Sequence, residues 1–260
     1  MTTAIRAPFF RTLAALGITV SMASAQWASA PVLRPEFLAE IPHDTGAFTQ
    51  GLVWVDGSLY ESTGLYGHST LRQLHPGTGA ILRRQKMADR YFAEGLAHFQ
   101  GSFIQLTWRE GEALRYAPND WKKTTRFRYS GEGWGLTNIG AALWMSDGSD
   151  TLFRRDAAFR ITGRTPVRLN GKPLARLNEL EAAHGKIVAN VWYCDSLFII
   201  NPADGRVLAV VDASTLAARI GRRADEEVLN GVAYDPLRKV FYVTGKKWPK
   251  IFKIRIPFSF

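Results

Sequence analysis

The chain has 260 residues, and 33 lysines and arginines against 23 aspartates and glutamates give it a formal net charge of +10 at pH 7. This length allows one large domain with a sizeable core. The basic residues are scattered in short groups, whereas a nucleic-acid-binding protein usually concentrates them on one face or one helix. We therefore expect no nucleic-acid partner, and we interpret the charge as a contribution to solubility and to attraction toward anionic surfaces.

The N-terminal segment has the three parts of a secretory signal peptide. Two arginines precede an apolar stretch at residues 13–20 that is too short to span a bilayer, and Ala23-Ser24-Ala25 offers a cleavage site of small residues. We predict a signal peptide over residues 1–25, a mature chain that begins at Gln26, and a periplasmic or secreted protein without stable membrane insertion after cleavage. An uncleaved membrane anchor is the alternative.

A short pattern recurs five times along the chain. Each copy begins with a polar or aromatic residue, here called the opener, which is followed in four copies by glycine, and then by a strand, a turn and a returning strand. Successive openers are 44, 40, 44 and 52 residues apart. The copies begin at Gln50-Gly51-Leu52, Glu94-Gly95-Leu96, Trp134-Gly135-Leu136, Asn178-Glu179-Leu180 and Asn230-Gly231-Val232.

Five copies at this period predict an all-β fold, a five-bladed β-propeller with short helical or loop insertions, in which each blade is a four-stranded antiparallel sheet. We place one propeller over residues 26–260 and expect a strand around residues 37–41 to join the last blade and close the ring. A β-sandwich is the rival fold, but it would show no such regular spacing. The wide last interval predicts a short helix that Asp212 or Ser214 caps and Gly221 ends.

If the opening strand of each copy lies innermost, the five openers surround one end of the central channel, and the returning strands deliver later residues to the same end. That rim then gathers a carboxylate, an ammonium group, amides and indoles around one hollow. The residues expected there are Gln50, Glu94, Trp108, Trp134, Asp147, Asn178, Trp192, Asn230 and Lys246. The tryptophans expected to pack between blades instead are Trp54, Trp121, Trp144 and Trp248.

At these residues the chain resembles the plant and bacterial type of glutaminyl-peptide cyclotransferase, or glutaminyl cyclase. The matching segments run in order through nearly the whole mature chain, and the ordered set is far more specific than any one segment. They are Phe48-Thr49-Gln50-Gly51-Leu52, Phe92-Ala93-Glu94-Gly95-Leu96, Leu106-Thr107-Trp108, Gly133-Trp134-Gly135-Leu136-Thr137, Ser146-Asp147-Gly148-Ser149, Leu177-Asn178-Glu179-Leu180-Glu181, Asn190-Val191-Trp192, Leu229-Asn230-Gly231-Val232-Ala233 and Thr244-Gly245-Lys246.

The resemblance implies a five-bladed propeller that converts the N-terminal glutamine of peptides and proteins to pyroglutamate with release of ammonia, which makes it an acyltransferase of the aminoacyltransferase class. One departure is Ala93, where many relatives have glycine. The resemblance places the acidic catalytic residue at Glu94 and pocket positions at Phe48, Gln50, Phe92, Trp108, Asn178, Trp192 and Lys246. No cofactor is expected to be required, although plant relatives hold a calcium ion in the channel through backbone oxygens, which leave no trace in a sequence.

Cyclisation requires the substrate's α-amine to attack its own γ-carboxamide carbon, a step that proximity favours once the side chain is held curled. The attacking nitrogen must lose a proton and the amide nitrogen must gain one, and a single carboxylate can carry out both transfers. We assign this proton shuttle to Glu94. Burial among Phe92, Trp108 and Trp134 would raise the pKa of Glu94, whereas a nearby Lys246 would lower it.

The other residues suit binding and charge stabilisation. Lys246 or an indole N–H could stabilise the negative charge that develops on the γ-carbonyl oxygen, and we count Lys246 as catalytic. Gln50 and Asn178 suit recognition of the substrate's amide, because each has a donor and an acceptor. The aromatic residues are expected to form a dry pocket that also contacts the terminal ammonium. The predicted substrate-binding set is Phe48, Gln50, Phe92, Trp108, Trp134, Asn178 and Trp192.

Two other functions fit parts of the sequence. A carbohydrate-active propeller would need two carboxylates across the channel, and Glu94 and Asp147 are a conceivable pair, but Lys246 and the amides have no task in that reaction. A ligand-binding propeller without catalytic activity is the other alternative. Incubation with a peptide that begins with glutamine distinguishes these possibilities through the release of ammonia.

Metal binding by side chains finds no support in the sequence. The five histidines form no HxxxH or HxH pair, and the single cysteine, Cys194, can provide neither a thiolate cage nor an intramolecular disulfide. We therefore predict no metal ligands among the side chains. A monomer is expected as the default for a closed ring.

Overall fold

The computed structural model describes Met1 and residues 29–259. The predicted signal peptide after Met1 and its cleavage site lie outside this described part. Within it, the strands build five blades around a central channel, which confirms the predicted all-β, five-bladed propeller. Among the described residues, no helix has the length and apolar character that a membrane span requires.

The elements are short strands and one helix. In chain order they are β1 (Val32–Leu33), β2 (Glu36–Pro42), β3 (Thr49–Val55), β4 (Ser58–Thr63), β5 (Thr70–Leu74), β6 (Ile81–Lys86), β7 (Ala93–Phe99), β8 (Ser102–Thr107), β9 (Glu112–Tyr116), β10 (Lys123–Arg128), β11 (Leu136–Ile139), β12 (Ala142–Met145), β13 (Thr151–Arg155), β14 (Ile161–Pro166), β15 (Arg168–Leu169), β16 (Lys172–Pro173), β17 (Leu177–Ala183), β18 (Lys186–Val191), β19 (Ser196–Ile200), β20 (Val207–Asp212), α1 (Ser214–Ala218), β21 (Leu229–Asp235), β22 (Val240–Gly245) and β23 (Lys250–Arg255).

Each of the first four blades consists of four consecutive antiparallel strands, and the first strand of every blade is innermost. The blades are β3–β6, β7–β10, β11–β14, β17–β20, and β21–β23 completed by β2. The inner strands β3, β7, β11, β17 and β21 contact one another in that order, and β21 also contacts β3. Four openers are therefore the second residue of an innermost strand, and the fifth, Trp134, lies two residues before β11, so all five stand at the same end of the channel, as the repeat predicts.

The N-terminal strand closes the ring. β2 pairs antiparallel with β23, with Phe37 opposite Ile254 and Ile41 opposite Ile251, so the predicted closure of the last blade is confirmed. The sequence did not predict the preceding strand β1, which lies parallel to β20 on the outer edge of blade 4. A residue pair such as Val32–Leu33 is too short to show any periodicity.

A buried ion pair lies at the junction of the last and first blades. His43 follows β2, and its Nε2 donates to Glu61 Oε1 (2.9 Å) while its Nδ1 donates to the carbonyl oxygen of Trp248 (2.8 Å). Burial opposes the charged imidazole, but the Glu61 carboxylate outweighs it, so the pKa of His43 is raised. The Thr49 hydroxyl also donates to Glu61 (2.7 Å), which fixes the carboxylate against the start of β3.

The helix between the last two blades is present, but the prediction of its ends is wrong. Helix α1 spans Ser214–Ala218, its N-cap is Ala213, and no side chain caps it. Asp212 instead accepts a hydrogen bond from the Ser214 N–H (3.0 Å), because this residue still belongs to the end of β20 and makes a local turn there. The helix ends at Ala218, before it reaches Gly221.

Glycine follows the opener in blades 1, 2 and 3 because the inner strands there approach one another too closely for a side chain. A Cβ atom on Gly51 would lie 2.6 Å from the Leu96 nitrogen, and one on Gly135 would lie 2.0 Å from the Asn178 carbonyl oxygen. In blade 5, Gly231 has a left-handed φ of 120°, a conformation that favours glycine. Blade 4 has Glu179 at this position. Its Oε1 accepts from the Leu52 N–H (3.2 Å) of blade 1, and its Oε2 accepts from the Val232 N–H (2.9 Å) of blade 5.

The close approach at Gly135 leads to a stability prediction. In Gly135→Ala, the new methyl group would overlap backbone atoms, so blades 3 and 4 must separate, and we expect the free energy of unfolding to fall by about 3 kcal/mol. Denaturant unfolding followed by tryptophan fluorescence measures this change. Gly163→Ala is the matched control, because a Cβ atom there has its nearest neighbour at 3.7 Å. Equal stability of the two variants would contradict the proposed steric constraint.

Candidate active site

A pocket of about 200 Å³ lies at the end of the channel where the inner strands begin. All nine residues of the predicted catalytic and substrate-binding sets line it. The two catalytic candidates, Glu94 and Lys246, therefore share one cavity. Their chemical roles remain predictions. The lining residues are Phe48, Gln50, Phe92, Glu94, Trp108, Trp134, Asn178, Trp192 and Lys246.

The floor of the pocket is polar and buried. Gln50, Glu94, Asn178 and Lys246 are 3%, 5%, 2% and 6% exposed. The first three are openers, and at each of them the inner strand shifts its register against the next strand. Such a bulge inserts an extra residue and redirects its side chain. The bulges therefore explain how three inner strands direct three polar side chains into one pocket.

Five partly exposed aromatic rings form the walls above this floor. Ring centroids are 6.0 Å apart for Phe48 and Phe92, 5.4 Å apart for Phe92 and Trp108, and 5.5 Å apart for Trp134 and Trp192. Two junctions in this ring of walls remain, one between Trp108 and Trp134 and one between Trp192 and Phe48. A charged side chain bridges each junction.

Glu132 bridges the first junction. Its Oε2 accepts from the indole N–H groups of both Trp108 (2.8 Å) and Trp134 (2.9 Å), and its Oε1 accepts from Arg109 Nε (3.0 Å). The Arg109 guanidinium in turn lies 3.7 Å from the Trp108 ring centroid. Glu132 was not predicted from the sequence, because a glutamate between two glycines resembles an ordinary turn residue. Its only signal is its place two residues before the opener Trp134.

Lys246 bridges the second junction, on the other side of the pocket. Its Nζ lies 4.8 Å from the Phe48 ring centroid and 6.0 Å from that of Trp192. Burial lowers the pKa of Lys246, and the Glu94 carboxylate opposes this effect. The pocket therefore has an anionic side at Glu132 and a cationic side at Lys246.

A chain of hydrogen bonds orients Glu94. Asn230 Nδ2 donates to Gln50 Oε1 (3.0 Å), and Gln50 Nε2 donates to Glu94 Oε1 (2.8 Å). Both ends of the Gln50 amide are thus engaged by protein groups, so this residue holds the carboxylate in place. Asn230 is fully buried beneath the floor and does not line the pocket, contrary to the expectation that it stands on the rim.

The Asn178 amide lines the pocket, and a half-turn about its Cβ–Cγ bond, which exchanges oxygen and nitrogen, would offer its acceptor to a ligand. Within the described part of the chain, its Oδ1 is buried and has no hydrogen-bond partner, although the side chain lines the pocket. A buried acceptor without a partner costs free energy unless a bound group supplies a donor. The NH2 of a primary amide is such a donor.

Two expectations from the sequence remain, one for Asp147 on the rim and one for the four tryptophans between blades. Asp147 does not line the pocket, because its Oδ1 accepts from the Ser149 N–H (3.0 Å) and hydroxyl (2.6 Å) in a local turn. The four tryptophans expected between blades do pack in the core or across blades. Trp54 of blade 1, for example, stacks on Tyr242 of blade 5 at 5.2 Å, and Trp248 is 0% exposed.

Comparisons with known proteins agree with this geometry. The sequence model of the glutamine cyclotransferase family matches residues 11–256. The chain belongs to the glutamine cyclotransferase family. It is 38% identical over 226 residues to a glutaminyl-peptide cyclotransferase of Arabidopsis thaliana, a match that covers 85% of this chain and 71% of that protein. The crystal structure of Myxococcus xanthus glutaminyl cyclase matches with a TM-score of 0.83 at 37% sequence identity. The match covers 88% of this chain and 98% of the Myxococcus chain.

Family membership makes this glutamine cyclotransferase an enzyme of the transferase type. It supports the main interpretation of the sequence and gives no support to a carbohydrate-active or purely ligand-binding propeller. The geometry agrees, because glycoside hydrolysis would need two carboxylates across the channel, and the Asp147 carboxylate is engaged in a local turn instead.

The environment of Glu94 sets its protonation. Burial raises the pKa of Glu94 well above its ordinary value, Lys246 opposes this shift, and Glu132 and Glu110 add to it. The sequence left open whether burial or Lys246 prevails, and burial does. A raised pKa makes the Glu94 carboxylate a stronger base than an ordinary glutamate, which suits a group that must accept a proton.

Metal binding stays a matter of prediction. Among the described residues, no group of three or more histidine, cysteine, aspartate or glutamate side chains is placed to hold a metal ion. At the level of the inner-strand glycines, the Glu179 side chain reaches into the channel, and N–H donors converge on its carboxylate.

The charges around Glu94 predict opposite effects of two substitutions on its pKa. Lys246→Met removes a positive charge that favours the carboxylate, so the pKa of Glu94 should rise further. Glu132→Gln removes a negative charge that disfavours it, so the pKa should fall. Carbon-13 NMR of glutamate carboxyl groups during a pH titration measures both shifts, and the spectrum of Glu94→Gln assigns the signal.

Glu36→Gln is the control, because Glu36 pairs with Arg255 on the outer edge of blade 5, away from the pocket. This variant should leave the Glu94 titration unchanged. Shifts of the same sign in the Lys246 and Glu132 variants would show that repacking, rather than charge, governs the pKa.

Proposed function

We propose that this cyclotransferase converts the N-terminal glutamine of peptides and proteins to pyroglutamate and releases ammonia. The observation that carries the proposal is the meeting of the Glu94 carboxylate, the Lys246 ammonium group and the unpartnered Asn178 Oδ1 in one aromatic pocket. Together these groups supply a proton acceptor, a positive charge and an amide acceptor, which are the three functions that the cyclisation needs.

The substrate's side chain binds with its amide over the floor. The amide NH2 donates to Asn178 Oδ1, which gives the buried oxygen its missing partner. The α-amine lies toward Glu94, and the γ-carbonyl oxygen lies toward Lys246. The indole N–H groups of Trp108 and Trp134 are already donated to Glu132, which favours Lys246 as the group that stabilises this oxygen.

The proton transfers then balance within the pocket. The α-nitrogen forms a bond to the amide carbon, and Glu94 takes the proton that this nitrogen loses. The tetrahedral carbon next breaks its bond to the amide nitrogen, Glu94 returns the proton to that nitrogen, and ammonia leaves. The acyl group has moved from one nitrogen to another within the same residue, so the reaction is that of an acyltransferase, more narrowly an aminoacyltransferase.

Glu94→Gln tests this mechanism. The amide keeps the shape and can still pair with Gln50, but it cannot shuttle a proton, so we expect the rate of ammonia release from a Gln-initiated dipeptide to fall about a thousandfold. Mass spectrometry of the product, which has lost one ammonia, checks the chemistry independently. Glu181→Gln is the matched control, since Glu181 is a second buried carboxyl group that lines a different cavity.

The control should retain its rate. A near-normal rate in Glu94→Gln would remove Glu94 from the shuttle, and a wild-type protein that releases no ammonia from any Gln-initiated peptide would refute the proposed function itself.

We further propose that the enzyme works as a monomer in the periplasm or outside the cell, on peptides and proteins and without nucleic acid. The support is the signal-like N-terminal sequence with its Ala23-Ser24-Ala25 site. Expression of the full chain, followed by cell fractionation and N-terminal mass spectrometry, should give an exported protein that begins at residue 26. That terminus is a glutamine and is itself a substrate for the proposed reaction. A cytoplasmic protein that retains residues 1–25 would contradict export.

A further inference from the structure

A second cavity, of about 620 Å³, adjoins the cationic side of the active-site pocket. Its lining includes Tyr193, Arg222, Arg223 and Val228. Two covalent or hydrogen-bonded links join it to the pocket. Tyr193 directly follows the wall residue Trp192, and the Val228 carbonyl oxygen accepts from the Lys246 N–H (2.9 Å). We call this cavity the side groove.

Tyr193 is the most unusual residue of the side groove. It is 54% exposed, its backbone has a left-handed φ of 63°, and its ring packs on Trp192 with centroids 4.7 Å apart. A bulky residue in that backbone region is an outlier that the surrounding structure must hold in place. The strained backbone presents an aromatic face to solvent at the edge of the pocket, where a passing chain can stack on it.

The charges of the pocket determine the direction in which the rest of a bound peptide extends out of the pocket. The α-amine carries a positive charge before it reacts, and the Glu132 carboxylate, held between Trp108 and Trp134, lies on the side that attracts it. The rest of the peptide is attached to the same α-carbon and must extend away from the bound amine. The opposite side is that of Lys246 and Trp192, the two pocket residues that are linked directly to residues of the side groove.

The arginines of the side groove do not make it a strong anion site. Arg222 pairs with Asp195, and Arg223 pairs with Glu227 at 3.7 Å. Their guanidinium groups remain able to donate to the carbonyl oxygens of a peptide backbone, which every sequence provides. The groove therefore suits peptide of any sequence rather than acidic residues in particular.

From these contacts we infer that the side groove binds the second and third residues of the peptide substrate, with the second residue stacked on Tyr193. The inference rests on the proposed function and extends it, because it makes this a peptide and protein enzyme whose affinity grows with chain length beyond the first residue.

The test compares two substrates, glutamine amide, which ends after the first residue, and the tetrapeptide Gln-Ala-Ala-Ala. Tyr193→Ala should lower kcat/KM for the tetrapeptide about fivefold more than for glutamine amide, mainly through KM, because the aromatic contact is lost only to the longer substrate. Tyr193→Phe keeps the ring and should restore the wild-type ratio of the two substrates.

Tyr66→Ala is the matched control at the opposite side of the pocket. Tyr66 is 47% exposed and packs on the wall residue Phe92 at 5.4 Å, so it mirrors Tyr193 on Trp192. This variant should change kcat/KM by the same factor for both substrates. Equal losses for both substrates in Tyr193→Ala, or a length-dependent loss in Tyr66→Ala alone, would overturn the inference. Failure of the wild-type protein to act on either substrate would instead refute the proposed function, and the inference with it.

Discussion

The closeness of the inner strands is the constraint on which the rest of the structure depends. Backbone meets backbone at Gly51, Gly95 and Gly135, where even a methyl group would overlap the neighbouring blade. This contact brings the openers together, because each opener directly precedes the residue that makes it. The bulge at the same place then turns the opener's side chain out of the strand's alternation. Packing and site geometry thus have one cause, and a blade that moved outward would also withdraw its polar side chain from the pocket floor.

The pocket separates its charges by using aromatic walls as spacers. Glu132 and Lys246 each bridge a junction between two rings, and the walls keep them on opposite sides. Glu94 lies in the field of both, and its burial outweighs the attraction of Lys246, so its pKa is raised. This arrangement differs from a simple ion pair, in which a close lysine would hold the carboxylate ionised and too weak a base to accept a proton. Distance between the charged groups is therefore a functional property, and rigid aromatic rings are a direct means of maintaining it.

The sequence was enough to predict the fold, which follows from a repeated pattern, and the members of the pocket, of which Phe48 and Phe92 were implied only by the resemblance to a known family. Regular spacing of the openers indicates blades, and hairpin geometry places Trp108 beside Glu94 without knowledge of any contact. It was not enough for features that depend on three-dimensional neighbours. Glu132 has no periodic partner, Asn230 and Asp147 stand at repeat positions but point elsewhere, and the engagement of Gln50 with Glu94 is visible only once two blades are side by side. The cap of α1 was missed for a related reason, since the end of β20 determines where the helix begins.

The five blades repeat one backbone but differ where function requires it. The five openers are one acid, three amides and one indole, and they occupy equivalent positions in their blades. A nearly symmetric ring therefore encloses an asymmetric pocket. The one departure from glycine, Glu179, follows the same logic. Its carboxylate accepts N–H groups from blades 1 and 5, and so it ties three inner strands together beneath the floor. Burial raises the pKa of Glu179 well above its ordinary value, and Glu181 adds to that shift. A costly buried carboxyl group persists here because it fixes the strands that carry Gln50, Asn178 and Asn230, and small shifts of those strands would misplace the groups that hold Glu94.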